Sequence, residues 1–289
     1  MKIKKWLGLA ALATVAGLAL AACGNSEKKA DNATTIKIAT VNRSGSEEKR
    51  WDKIQELVKK DGITLEFTEF TDYSQPNKAT ADGEVDLNAF QHYNFLNNWN
   101  KENGKDLVAI GDTYISPIRL YSGLNGSANK YTANKYTKVE DIPANGEIAV
   151  PNDATNESRA LYLLQSAGLI KLDVSGTALA TVANIKENPK NLKITELDAS
   201  QTARSLSSVD AAVVNNTFVT EAKLDYKKAL FKEQADENSK QWYNIIVAKK
   251  DWETSPKADA IKKVIAAYHT DDVKKVIEET SDGLDQPVW

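Results

Sequence analysis

The chain has 289 residues, 42% hydrophobic and 27% charged, a balance that excludes a disordered or collagen-like polymer and is long enough for two lobes of ordinary size. Its 37 Lys and Arg against 40 Asp and Glu give a net charge of −3, with no basic stripe for a phosphate backbone, so nucleic acid is not an expected partner. A single cysteine rules out an internal disulfide framework, and two histidines, His92 and His269, leave little for metal or acid-base chemistry. No metal and no cofactor are expected.

Lys2, Lys4 and Lys5 precede an apolar run over residues 6–20, the layout of a signal peptide. The run ends in Leu20-Ala21-Ala22-Cys23, which resembles a bacterial lipobox; an uncleaved anchor helix is the alternative. Residues 1–22 are therefore expected to be removed, leaving a net charge of −6, and Cys23 to be lipidated, with palmitate among its acyl chains. More than one chain on that cysteine is what stable anchoring requires. Residues 24–35 contain no large apolar side chain, so 23–35 reads as the lipidated cysteine and a flexible tether of about 20 Å. The expected location is the extracytoplasmic face of the cell membrane, held by lipid and beside a membrane partner.

Strands and helices then alternate. Residues 36–41 form a β-type run, Trp51, Ile54, Leu57 and Val58 recur at helical spacing, and Ile63, Leu65 and Phe67 alternate at period two. A short helix near 77–82 and a strand over 85–90 complete a βαβαβ unit. Further strands are expected over 107–115 and 118–124, followed by a polar, turn-rich surface insertion over 125–137. The pattern restarts with a strand at 147–150, a helix over about 157–170, strands at 192–197, 209–214 and 242–248, and two closing helices carrying Ile261, Val264 and Tyr268 and then Val273, Val276 and Ile277. Two α/β units in succession predict two lobes around a ligand cleft, one from 36–120 plus 245–289 and the other from 121–244.

Nucleotide-binding glycine motifs, a Walker sequence and a G-x-S-x-G elbow are missing, so noncatalytic capture of a small molecule is the leading function class. A triad defined only in space keeps an extracytoplasmic hydrolase as the cross-class alternative. The segment Asp72-Tyr73-Ser74-Gln75-Pro76-Asn77, followed by Asp86-Leu87-Asn88-Ala89-Phe90-Gln91-His92, resembles the methionine-binding lipoproteins of the NlpA/MetQ family. Pro151-Asn152-Asp153-Ala154-Thr155-Asn156-Glu157-Ser158-Arg159, Glu187-Asn188-Pro189-Lys190-Asn191-Leu192, and Val214-Asn215 with Tyr243-Asn244 agree in the same order. The resemblance covers nearly all of the chain beyond the tether. It implies a two-lobe, type II periplasmic-binding-protein-like α/β fold that binds L-methionine or a close analogue as a monomer and delivers it to an ABC permease and ATPase. Another small amino acid or a methionine-containing dipeptide is the alternative ligand.

Read from the residues alone, Asn156 is a good N-cap and Arg159 would lie in the first helical turn, where a cation opposes the helix dipole and is suited to clamp an anion. The resemblance assigns Tyr73, Phe90, His92 and Phe95 to a pocket for the thioether, and Asn156, Arg159, Asn215 and Asn244 to the polar end of the ligand. Three departures from the family pattern stand out: Asn42-Arg43-Ser44-Gly45-Ser46-Glu47 is polar where the family is glycine-rich and apolar, Phe95 stands where the family usually has tyrosine, and Arg119 replaces a small residue. Arg119 reads as a surface charge or, less readily, a second anion contact.

Overall fold

The computed structural model describes residues 33–43, 45–125 and 133–289. The expected signal peptide, Cys23 and tether lie outside the described residues, apart from the last three positions of the tether, as does most of the expected insertion. In chain order the elements are β1 (Thr34–Val41), α1 (Ser46–Lys59), β2 (Ile63–Phe70), α2 (Pro76–Asp82), β3 (Leu87–His92), α3 (Tyr93–Asn103), β4 (Val108–Ile115), β5 (Arg119–Ser122), β6 (Leu124–Asn125), β7 (Ala133–Asn134), β8 (Glu147–Pro151) and α4 (Ala154–Ser166). They continue with β9 (Lys171–Leu172), β10 (Ile185–Glu187), β11 (Lys193–Leu197), α5 (Ala199–Ser205), β12 (Ala211–Val214), α6 (Asn216–Glu221), β13 (Phe231–Lys232), β14 (Tyr243–Ala248), α7 (Ala258–Tyr268), α8 (Asp271–Thr280) and β15 (Gln286–Pro287).

Two mixed sheets organise these elements. The first has the order β15-β4-β14-β3-β1-β2 and the second β11-β8-β12-β5-β13. β1 runs parallel to β2 in register from Thr34 against Ile63 to Val41 against Phe70, and parallel to β3, as the βαβαβ pattern requires. In the second sheet β8 is parallel to both β11 and β12, while β5 and β13 close the edge antiparallel. The expected lobe boundaries, after 120 and after 244, each fall inside a strand: β5 begins at Arg119 in the second sheet, and β14 begins at Tyr243 in the first. The chain therefore crosses between sheets at residues 116–118 and 233–242.

Each sheet buries its own core. Ile36 and Ile38 of β1 meet Trp51, Ile54 and Val58 on one stripe of α1, together with Ile261 and Val264 of α7 and Ile277 of α8. Leu120, Ile148, Val150 and Val213 cover Leu161 and Leu164 of α4. Each such fully buried aliphatic side chain stabilises by roughly 1.5–3 kcal/mol. A third cluster joins the two, with Val41 of β1 beside Tyr121, Phe218 and Val219, and Phe70, Tyr73 and Phe90 packed against them.

Sequence reading leaves residues 93–103 unassigned, and the structure makes them α3. Asparagines dilute its apolar stripe, and its N-cap is a histidine: His92 Nδ1 accepts from the backbone N–H of Phe95 at 3.0 Å. Helix starts are usually read from Ser, Thr, Asp or Asn.

Candidate functional site

Parallel sheets collect ligands at the carboxyl ends of their strands. Here β1, β3, β8 and β12 all point those ends toward a cavity of about 520 Å³ between the two sheets. All eight side chains expected at a ligand site line it: Tyr73, Phe90, His92, Phe95 and Asn244 from the first sheet and its connections, and Asn156, Arg159 and Asn215 from the second.

The first sheet supplies an aromatic wall. Phe90 lies 5.7 Å from Phe95 edge-on and 5.9 Å from Tyr73, and Tyr73 reaches across to Phe218 of α6 at 5.2 Å. Edge-to-face and tilted contacts at these separations are favourable and leave ring edges for an apolar guest. Behind this wall the remaining polar residues of the motif are consumed internally. Asn77 Nδ2 donates to Gln91 Oε1 at 2.9 Å, Asn88 Nδ2 donates to Asn77 Oδ1 and Thr80 Oγ1, and Gln91 Nε2 donates to Asn88 Oδ1 at 2.7 Å. Satisfied buried amides of this kind rigidify the packing of α2 on β3, so half of the motif holds the wall and half faces the cavity.

The polar wall is oriented by a chain of hydrogen bonds whose direction is fixed at its start. The Phe95 backbone N–H can only donate, so His92 Nδ1 is an acceptor and the ring proton sits on Nε2, which faces Asn156 Oδ1 at 3.4 Å. Burial, helped by the positive charge of Arg159, pushes the His92 pKa down to about 3, so the ring is neutral. Asn156 Nδ2 donates to both Asp153 oxygens at 3.1 and 3.0 Å, which leaves Oδ1 to accept from His92 and from Asn215 Nδ2 at 2.8 Å. Asn215 must then present its own Oδ1 as an acceptor. That oxygen is buried, lines the cavity through its residue, and has no partner among the described residues.

Two expectations are corrected here, and an unexpected counter-ion appears. Asp153, not Asn156, caps α4: its Oδ1 accepts from the Asn156 backbone N–H at 3.0 Å, which places Asn156 at the third helical position and Arg159 in the second turn. Arg159 has a counter-ion that sequence reading missed. Its Nε and Nη2 are held by Glu233 at 2.8 and 2.5 Å, Nη2 also donates to Ser116 O at 3.0 Å, and Trp242 lies under the guanidinium at 4.8 Å. Only Nη1 has no protein acceptor among the described residues. Finally, Arg119 is not a surface charge: it is 3% exposed, and its Nη1 donates to Pro117 O at 2.8 Å and Asn216 Oδ1 at 3.1 Å. No carboxylate pairs with it among the described residues, and burial lowers its pKa.

The Glu187-to-Leu192 segment lies away from this cavity. Asn188 bonds both the N–H and the carbonyl of Leu192, and Asn191 adopts φ 51°, the left-handed conformation asparagine tolerates, so the segment is a self-bonded turn ahead of β11. Among the described residues no cluster of His, Cys, Asp and Glu could hold a metal, and no helix is long and apolar enough to cross a membrane.

Comparison with known proteins agrees along the whole described length. The family model of the NlpA lipoprotein matches residues 36–289. The chain is 35% identical over 286 residues to the D-methionine-binding lipoprotein MetQ of Escherichia coli strain K12, covering 98% of this chain and 97% of that one. It is 37% identical to Outer membrane lipoprotein 1 of Mannheimia haemolytica, covering 94% of each. Among solved structures it resembles the substrate binding protein of a methionine transporter from Streptococcus pneumoniae, at 96% identity and TM-score 0.85 over 89% of this chain and 96% of that one. It also resembles a nutrient binding protein from Burkholderia cenocepacia bound to methionine, at 37% identity and TM-score 0.77 over 88% of this chain and all of that one. The fold is the two-lobe α/β architecture of such binding proteins.

Proposed function

The chain belongs to the NlpA lipoprotein family, and from that premise we propose that it captures L-methionine or a close analogue outside the membrane and passes it to the permease and ATPase of an ABC importer. The observation that carries this reading is the acceptor Asn215 Oδ1, without a partner among the described residues, in a cavity also lined by Arg159 and an aromatic wall. An α-amino acid matches all three: its ammonium donates to Asn215, its carboxylate accepts from Arg159 with Asn244 beside it, and its side chain lies against Tyr73, Phe90 and Phe95. A thioether is favoured there because polarisable sulfur gains about 0.3–1.5 kcal/mol against ring edges. His92 and Asn156 orient this wall. The protein binds its ligand and does not convert it, a reading supported by relatives that are named as binding proteins.

Binding works by hinge closure of the lobes at the crossovers 116–118 and 233–242. The protein acts as a monomer, tethered by lipid on Cys23 at the extracytoplasmic face of the cell membrane. Replacing Cys23 with alanine should move it from the membrane fraction to soluble or unprocessed forms, and retained acyl chains would refute the anchor.

Ligand identity is tested by thermal unfolding of protein that has been denatured and refolded to strip bound solute. At about 1,000 times Kd a ligand adds roughly 4 kcal/mol, or several degrees in Tm. L-Methionine should give this shift and leucine a much smaller one. Equal shifts would defeat the specificity, a response only to a methionine-containing dipeptide or another amino acid would replace the ligand, and turnover would establish a hydrolase.

A further inference from the structure

The polar segment after β1 puts a carboxylate into the cleft. Glu47, in the first turn of α1, lines the cavity and is half-buried. Among the described residues it makes no hydrogen bond and no ion pair within 4 Å. The other lining carboxylates are accounted for: Asp285 is engaged by Arg50 and Ser116, while Asp225 and Asp282 are exposed. Of the lining cations, Arg159 is already neutralised by Glu233 and Lys223 and Lys227 are exposed, so Glu47 is the half-buried lining carboxylate without an ion partner among the described residues. A buried ammonium needs a carboxylate to offset its desolvation.

Resting on the amino-acid reading above, we propose that Glu47 is the carboxylate that balances the ligand's ammonium, and that the site therefore demands a free, protonated amine. The groups facing Glu47 are Arg50 on its own helix, Asp285 from the C-terminal segment, Arg43 from the loop before it and Glu69 from β2, with Tyr73, Tyr114 and Tyr268 also within its field. Burial, reinforced by Asp285 and Glu69 against the pull of Arg50 and Arg43, raises its pKa to about 7. An arriving ammonium favours the ionised form, so capture below neutrality expels a proton, and affinity rises from pH 6 to pH 8.

Calorimetry with L-methionine in buffers of different ionisation enthalpy tests this. The native protein should release protons at pH 6.5 and refuse N-acetylmethionine. Glu47→Gln, checked for an unchanged Tm without ligand, should bind about ten-fold or more weakly at pH 8 and lose both the proton release and the pH dependence. Undiminished affinity of Glu47→Gln at pH 8, proton release that persists in it, or capture of N-acetylmethionine by the native protein overturns the proposal. Should Glu47→Gln fail to fold, Glu47→Asp decides: release retained supports the role, release lost in a folded protein overturns it. Failure of the native protein to bind any amino acid would instead overturn the reading on which the proposal rests.

Discussion

The two walls of the cleft are built on different principles. The first sheet contributes rings whose positions come from packing, with Tyr73, Phe90 and Phe95 braced edge to face and backed by the Asn77, Asn88 and Gln91 amides. The second contributes polar groups whose orientations come from a directed hydrogen-bond chain and one ion pair, Asp153 to Asn156 to Asn215 and Arg159 to Glu233. Packing sets a shape that tolerates guests of similar volume, whereas directed bonds set a chemical polarity that tolerates no inversion. One wall should therefore choose among side chains and the other among backbone groups.

The largest effect should come from Arg159→Ala. It removes the proposed carboxylate contact and strands Glu233 in a half-buried place. Loss of one partner of such a pair costs about 3–5 kcal/mol, so the Tm should fall by roughly 6–20 °C, and affinity should drop by about 30-fold to several thousand-fold for every amino acid alike. Adding Glu233→Gln should recover most of the Tm in differential scanning calorimetry but none of the affinity. Selective loss of methionine alone would erase the distinction between the walls.

Phe90→Ala is the matching break on the aromatic side. Affinity for methionine should fall by about ten-fold, and the methionine-to-leucine ratio should fall with it, because the ring edge that favours sulfur is lost. Titration of both ligands checks this, and an unchanged ratio would place selectivity elsewhere.

The smallest effect lies where the walls meet. His92 has a folded pKa of about 3 against 6.5 in the unfolded chain, so between these values the unfolded state binds the extra proton. The stability it contributes is complete above pH 6.5 and is lost as pH falls toward 3, at up to about 1.4 kcal/mol per pH unit. In His92→Gln that slope of Tm between pH 6.5 and 5 should flatten. A slope unchanged from the native protein would mean the ring is not held neutral.

How much of this was legible depends on range. The βαβαβ unit and the closing helices could be read because apolar periodicity is a local signal, whereas the eight residues that line the cavity were named by the family resemblance and not by periodicity. Glu233 could not: it lies 74 residues from Arg159, in a stretch with no motif, and the one available cue was that an arginine among the apolar residues of a buried helix needs a counter-ion. The cap of α4 was misread because Asp153 and Asn156 are both competent caps, and only the backbone shows which carboxylate or amide turns back on the helix. Arg119 was misread for a related reason, since an isolated arginine in a strand carries no mark of burial.

The unpartnered Asn215 oxygen also bears on populations. A closed cleft without ligand leaves that acceptor dry, and an unsatisfied buried acceptor costs about 1–3 kcal/mol. Closing while empty is thereby made roughly 5- to 150-fold rarer than it would be with an apolar residue in the same place. If the protein serves an importer as proposed, a transporter that reads the closed shape would meet few empty carriers, and one asparagine would act as a gate against false reports of cargo.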